Sequence, residues 1–180
     1  PKSTVSFGFL EDFQRLIRAT NFESESDTNR IRNHLNLRVN IAPKGRTLSA
    51  LLRYDNTLDY FENNTQQFAN RFQHSFGLRG MWQWLPVTRI YAEVKQGVFS
   101  GLGSSSTKVD SYPLNLEAGI QTLLTLHTTL ILHAGYTNGF YSSGPSFSAP
   151  AVGAQIGYRY SPLGRVTLMY DYVHTDSINA

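Results

Sequence analysis

The chain has 180 residues, enough for one domain, with 41% apolar and 16% charged residues and a net charge of +3, against about 25% charged in ordinary soluble domains. The absence of cysteine excludes a disulfide framework or a thiolate metal site, and no window of about 18 apolar residues is present to make a membrane-spanning helix. The modest positive balance gives no case for nucleic acid as a partner, and no basic start or apolar stretch of a signal peptide is visible at Pro1, as expected of a processed chain or an internal piece of a longer one.

Period-two alternation of apolar and polar residues runs through the whole chain, the signature of strands with two unlike faces. The first expected strand, Ser3 to Leu16, sets Val5, Phe7, Phe9 and Phe13 against Thr4, Ser6, Gly8, Asp12 and Gln14, with Leu10 as an exception. The second, Arg30 to Ile41, alternates most clearly: Ile31, Leu35, Leu37, Val39 and Ile41 share one face with Asn33, and Arg30, Arg32, His34, Asn36, Arg38 and Asn40 share the other. The third, Thr47 to Phe61, opposes Leu48, Leu52, Tyr54, Leu58 and Tyr60 to Arg53, Asp55 and Asp59. The fourth, Gln67 to Leu85, opposes Phe68, Phe72, Phe76, Leu78, Trp82 and Trp84 to Arg71, Gln73, Ser75, Arg79 and Gln83.

The fifth strand, Thr88 to Phe99, sets Ile90, Ala92, Val94 and Val98 against Arg89, Tyr91, Glu93 and Lys95. The sixth, Tyr112 to Leu124, sets Leu114, Leu116 and Ile120 against Asn115, Glu117 and Gln121. The seventh, Thr129 to Tyr141, sets Leu130, Leu132, Tyr136 and Phe140 against His133 and Thr137. The eighth, Ala151 to Ser161, sets Val152, Ile156, Tyr158 and Tyr160 against Gln155 and Arg159, and the ninth, Arg165 to about His174, sets Val166, Leu168, Tyr170 and Tyr172 against Arg165, Thr167 and Asp171.

Tight turns recur at Pro1, Pro43, Pro86, His127 and Pro162. Longer polar connections lie between them, at Ala19 to Asn29, Glu62 to Thr65, Gly101 to Asp110 and Ser142 to Pro150. Tight turns at one end and long loops at the other describe an antiparallel up-and-down sheet. A soluble sandwich or lipocalin-like barrel alternates too, but its apolar faces fill one shared core. Strands this long, with arginines and carboxylates on the polar face, predict an all-β transmembrane β-barrel over residues 1–180, because a tilted strand of roughly 9–11 residues spans a bilayer.

Aromatics expected at the turn-side membrane interface are Trp82, Trp84, Tyr158 and Tyr160; Phe13, Tyr60, Phe68, Tyr112, Phe140 and Tyr172 fall at the loop side. Three residues resist the assignment. Asn33, Asn70 and His74 fall on the apolar face, where a bulge, an interfacial depth or contact with another protein is needed to accommodate them. About nine strands is an odd number, whereas single-chain bacterial barrels have even counts. The expectation is therefore part of a larger barrel of about 14 to 18 strands, the alternative being a closed eight-stranded barrel with one segment misassigned.

The Ala42-Pro43-Lys44-Gly45-Arg46 and Ser161-Pro162-Leu163-Gly164-Arg165 turns, joining long alternating strands, resemble those of Gram-negative outer-membrane β-barrels. The pattern is most similar to porin-type barrels encoded near exopolysaccharide clusters. The resemblance covers the whole chain at the level of pattern and implies location in the bacterial outer membrane and barrel architecture more than a substrate. It carries over no catalytic residues, and passage or export of a polar, anionic or saccharide solute is the function expected with it.

The polar face collects Arg30, Arg32, Arg38, Arg53, Arg71, Arg79, Arg89, Lys95 and Arg159, against Asp12, Asp55, Asp59, Glu93, Glu117 and Asp171. Guanidinium groups lining a pore favour anions, which makes a polar or anionic solute or polysaccharide the expected cargo and Arg30, Arg32 and Arg38 the expected selectivity strip. The opposing reading pairs these charges across strands, for example Arg53 with Asp12 or Lys95 with Glu117, leaving a structural barrel that anchors an envelope protein or oligomer. An enzyme is the weakest alternative: His34 and His133 share the polar face with Asp55 and Glu117, but no nucleophile or zinc motif accompanies them. No cofactor or metal is expected. Glu23, Glu25 and Asp27 are read as a solvated acidic loop in preference to a calcium site, the Gly/Ser run from Gly101 to Lys108 lacks P-loop order, and Asn63-Asn64-Thr65 is a sequon that would be silent in a bacterium.

Overall fold

A computed structural model describes residues 4–18, 28–43, 47–103, 110–144 and 146–173. They form nine strands, β1 (Val5–Arg18), β2 (Thr28–Ile41), β3 (Leu48–Phe61), β4 (Arg71–Leu85), β5 (Thr88–Gly101), β6 (Leu114–Leu123), β7 (Thr128–Gly139), β8 (Phe147–Arg159) and β9 (Arg165–Tyr172). Each pairs antiparallel with its neighbours in chain order, giving one nine-stranded up-and-down sheet. Among the described residues β1 and β9 are its two open edges, and the sheet does not close.

The register carries the alternation from strand to strand. Gly8, Arg38, Arg53, Gly77, Lys95, Asn115 and Thr137 lie in one transverse row on one face. Phe7, Val39, Leu52, Leu78, Val94, Leu116 and Tyr136 form a neighbouring row on the other. Burial then inverts the usual order. No apolar side chain is buried among the described residues; those that are buried include Asn36, Asp59, Ser75 and Thr137 on the polar face. Phe9, Leu78, Leu132 and Tyr158 stand exposed on the other.

Glycine placement accounts for the direction of curvature. Of the strand glycines described, Gly80 alone lies on the apolar face; Gly8, Gly77, Gly97, Gly101, Gly119, Gly135, Gly139, Gly153 and Gly157 all lie on the polar one. Where a sheet bends inward, side chains of adjacent strands converge, and a missing side chain makes room for a long neighbour. Tyr91 lies over Gly119, where a β-carbon would stand 2.5 Å from its ring. The polar face is the concave one.

The strands are also staggered. The row through Ile41, the last residue of β2, climbs to Tyr172, the last of β9. With the tight turns at one level, the climb is about one residue per strand. Since residues rise about 3.4 Å and strands lie about 4.8 Å apart, the strands lean about 35° from the sheet axis.

Two expected boundaries are corrected. The fourth strand does not begin at Gln67: Asn64–Ala69 form a 3-10 helix, closed by the Gln66 N–H on the Asn63 carbonyl and by the Gln67 side chain, whose Nε2 donates to Asn64 Oδ1 at 2.9 Å. Phe68 therefore belongs to a loop-side turn instead of a strand. Asn70 no longer poses a lipid-facing problem, because its Oδ1 accepts the Phe61 N–H at 2.7 Å and closes that turn. The eighth strand begins early, at Phe147, and runs through Pro150. Pro150 lies opposite Tyr136 of β7, two residues before Val152, the first residue of β8 paired with β9 among the described residues.

Candidate functional site

The concave face gathers every charged residue expected to line a pore, and register decides which of them meet. At the loop side, Asp59 is fully buried beneath three guanidinium groups. Arg32 donates to both its oxygens, from Nε at 2.7 Å and from a terminal nitrogen at 3.1 Å; Arg71 donates at 2.9 Å from the other side. Arg30 stands 3.7 Å away, its guanidinium 5.8 Å from the centre of the Phe61 ring. The cross-strand row Gln14–Arg32–Asp59–Arg71 makes this arrangement unavoidable once the sheet forms. Arg30 and Arg32, expected as parts of a free basic strip, are thus anchored on one carboxylate that three cations share.

Nearer the turns a second network crosses the sheet. Glu93 is bonded to Arg79, which donates from Nε at 2.5 Å, and lies 4.0 Å from Arg53. The Arg79 guanidinium covers the Tyr91 ring at 4.7 Å, and the Tyr91 hydroxyl donates to Glu117 at 2.8 Å. His133 continues the chain, 3.4 Å from Glu117 and 2.9 Å from Asp171 on β9. Gly153 lies beneath the last contact, where any side chain would displace His133.

The expected pairs Arg53–Asp12 and Lys95–Glu117 do not form. Asp12 stands opposite His34, Arg53 opposite Arg38, and Lys95 opposite Asn115. Glu93 and Glu117 face each other directly, an arrangement costly for like charges that Arg79, Tyr91 and His133 offset from both sides. His34 and Asp55 do come together, at 3.8 Å, with Asn36 bonded to the same carboxylate.

Four cations of the expected lining have no ion pair among the described residues: Arg38, Arg89, Lys95 and Arg159. Arg89 donates to Gln83 at 2.7 Å. Arg38 and Lys95 share one transverse row with Arg53: Arg38 stands directly opposite Arg53, Gly77 separates Arg53 from Lys95, and Gly8 ends the row beside Arg38. That row sequence reasoning did not single out, because period-two alternation gives the face of each residue but not its level on the neighbouring strand.

The aromatics expected at interfaces stand on the exposed face: Trp82, Trp84, Tyr158 and Tyr160 at the turn side, Tyr60 and Tyr172 at the loop side, with Phe68 exposed in its turn. Also at the loop end, Arg15 and Glu62 form a two-point ion pair at 2.8 and 2.9 Å. The hydrogen bonds and charge of Arg15 hold the Glu62 carboxyl below the usual carboxylate range. Among the described residues no His, Asp and Glu group has the geometry of a metal site. Glu23, Glu25 and Asp27 lie outside the described residues, as do Lys108 and His174. Compared with protein-family models and with curated proteins, the chain matches none, so its reading rests on its own residues.

Proposed function

We propose that the chain forms an arc of a bacterial outer-membrane β-barrel and passes or exports a polar, anionic or saccharide solute through a basic lumen. The observation that carries this reading is the inverted burial: apolar side chains are exposed on the convex face while Asp59, Asn36, Ser75 and Thr137 are buried on the other. Water-soluble folds bury their apolar residues; a membrane barrel turns them outward and keeps polar groups within. A lean of about 35° is also that of barrel strands. In lipid the open edges of β1 and β9 need partners. The two run in the same direction, so further strands, in place of a direct β1–β9 pairing, complete the ring.

Selectivity falls to the row of Arg38, Arg53 and Lys95, which crosses the middle of the concave face with three cations and no acid in the row itself, Glu93 approaching Arg53 only at 4.0 Å. Replacing Arg38 and Lys95 together by Glu should turn a preference for anions into one for cations, read as a change of sign in the reversal potential across a planar bilayer under a salt gradient. Arg32→Glu is a poor substitute, because it also breaks the Asp59 cluster. An unchanged reversal potential removes the row from the conduction path.

The Arg53-to-Asp171 network favours a second reading, a structural barrel whose lumen is cross-linked by its own side chains and which anchors a partner in the envelope. It predicts no current at any voltage from protein that has inserted into the bilayer.

A further inference from the structure

We propose that the convex face of β1–β4 is a contact between two copies of this chain, centred on Asn33 and Asn56. The inference rests on the membrane reading and starts from the places where the apolar face is interrupted. Glu11, Asn56 and His74 lie in one row with Leu35 and Val98; Asn33 lies in the next, between Phe13 and Leu58. Together with Tyr54 they make a polar patch across four neighbouring strands.

The patch is built, and its spare hydrogen-bonding capacity lies chiefly on Glu11. Asn33 Nδ2 donates to Glu11 at 3.1 Å. The Tyr54 hydroxyl lies 2.7 Å from His74 Nδ1, with Asn56 Nδ2 at 3.3 Å from the same nitrogen; Asn56 also donates to the Gln73 carbonyl. Phe72 meets the His74 ring edge-on at 4.2 Å. A carboxylate can accept about four hydrogen bonds, and the patch offers Glu11 one. His74, the residue hardest to reconcile with a lipid-facing strand, is thus fixed by neighbours, but its patch keeps spare capacity that hydrocarbon cannot meet.

Depth decides between lipid headgroups and protein as the occupant. Glu11 sits midway along β1, with exposed Phe9 and Phe13 on either side of it on the same face. Headgroups reach the ends of a spanning strand and not its middle. The Arg15–Glu62 pair, which does lie at the loop end, is already neutral. A second copy brings the same amides, carboxylate and imidazole to the same height. Asn33 and Asn56 lie on adjacent strands one row apart, so a two-fold axis along the membrane normal between β2 and β3 sets each against the other in the facing copy. Such a contact is self-complementary, as two-fold interfaces are, and Phe9, Leu37, Leu58 and Phe72 supply its apolar surround.

The absence of cysteine makes the test clean. Asn33→Cys and Asn56→Cys chains, mixed and folded into phosphatidylcholine vesicles, should cross-link to each other through a short bismaleimide. Leu132→Cys, on the same face but on β7, should not. The Asn33→Leu, Asn56→Leu double variant should weaken the dimer at least tenfold in detergent, and Glu11→Gln should weaken it less. Vesicle-bound chains that do not cross-link, or that cross-link equally at Leu132, overturn the dimer alone, as does a double variant that dimerises as well as wild type. Wild-type chain that fails to float with vesicles overturns the membrane reading and the dimer together.

Discussion

Leu132→Arg should cost about 2–4 kcal/mol when the chain folds into lipid, the penalty of a cation facing hydrocarbon near mid-depth. Leu132 is 42% exposed on the convex face, and it lies two same-face rows above Thr128, whose register partner is the interfacial Tyr158. Were that face in water, replacing an exposed leucine by arginine would shift stability by no more than about 0.5 kcal/mol. Gln155→Arg is the matched control: it adds the same charge to the concave face of the adjacent strand and should cost little. Reversible denaturant titration in vesicles measures both. Equal, small effects at the two positions would remove the convex face from lipid and with it the barrel as a membrane pore.

The strands themselves were legible because two unlike solvents write an alternating pattern, and nine repetitions of it fix which residues share a face. Arg30–Ile41 is the clearest case: its two faces in the structure are those read from its sequence. Two things were not legible. Level across strands depends on the length and geometry of each connection, so the meeting of Arg30, Arg32 and Arg71 on Asp59 follows from register alone, and so does the failure of Lys95 to reach Glu117. Local polar chemistry can also override alternation. Gln67 to Asn70 continues the period of the fourth strand, yet side-chain bonds by Asn70 and Gln67 wind it into a turn. His74 shows the converse: a residue that fits no apolar face is accommodated by Tyr54 and Asn56 from the next strand, a pairing visible only when rows are known.

Asp59→Asn should destabilise the sheet by on the order of 3 kcal/mol, the scale of breaking a buried ion pair by removing one partner. The loss exceeds that of a single bond because the carboxylate is shared. Arg32 and Arg71 both donate to it and Arg30 approaches within 3.7 Å. Without its charge three guanidinium groups repel one another across β2, β3 and β4, with little water able to enter around a side chain that is fully buried. The same argument predicts a rescue. In the double variant Asp59→Asn, Arg71→Gln, one cation is gone, so the second substitution should restore part of the stability lost by the first, although Arg71→Gln alone destabilises. A double-mutant cycle measured by denaturant unfolding in vesicles reads this coupling directly. Additive losses would mean that the three arginines do not feel one another through Asp59, and that the cluster is held by the backbone register alone.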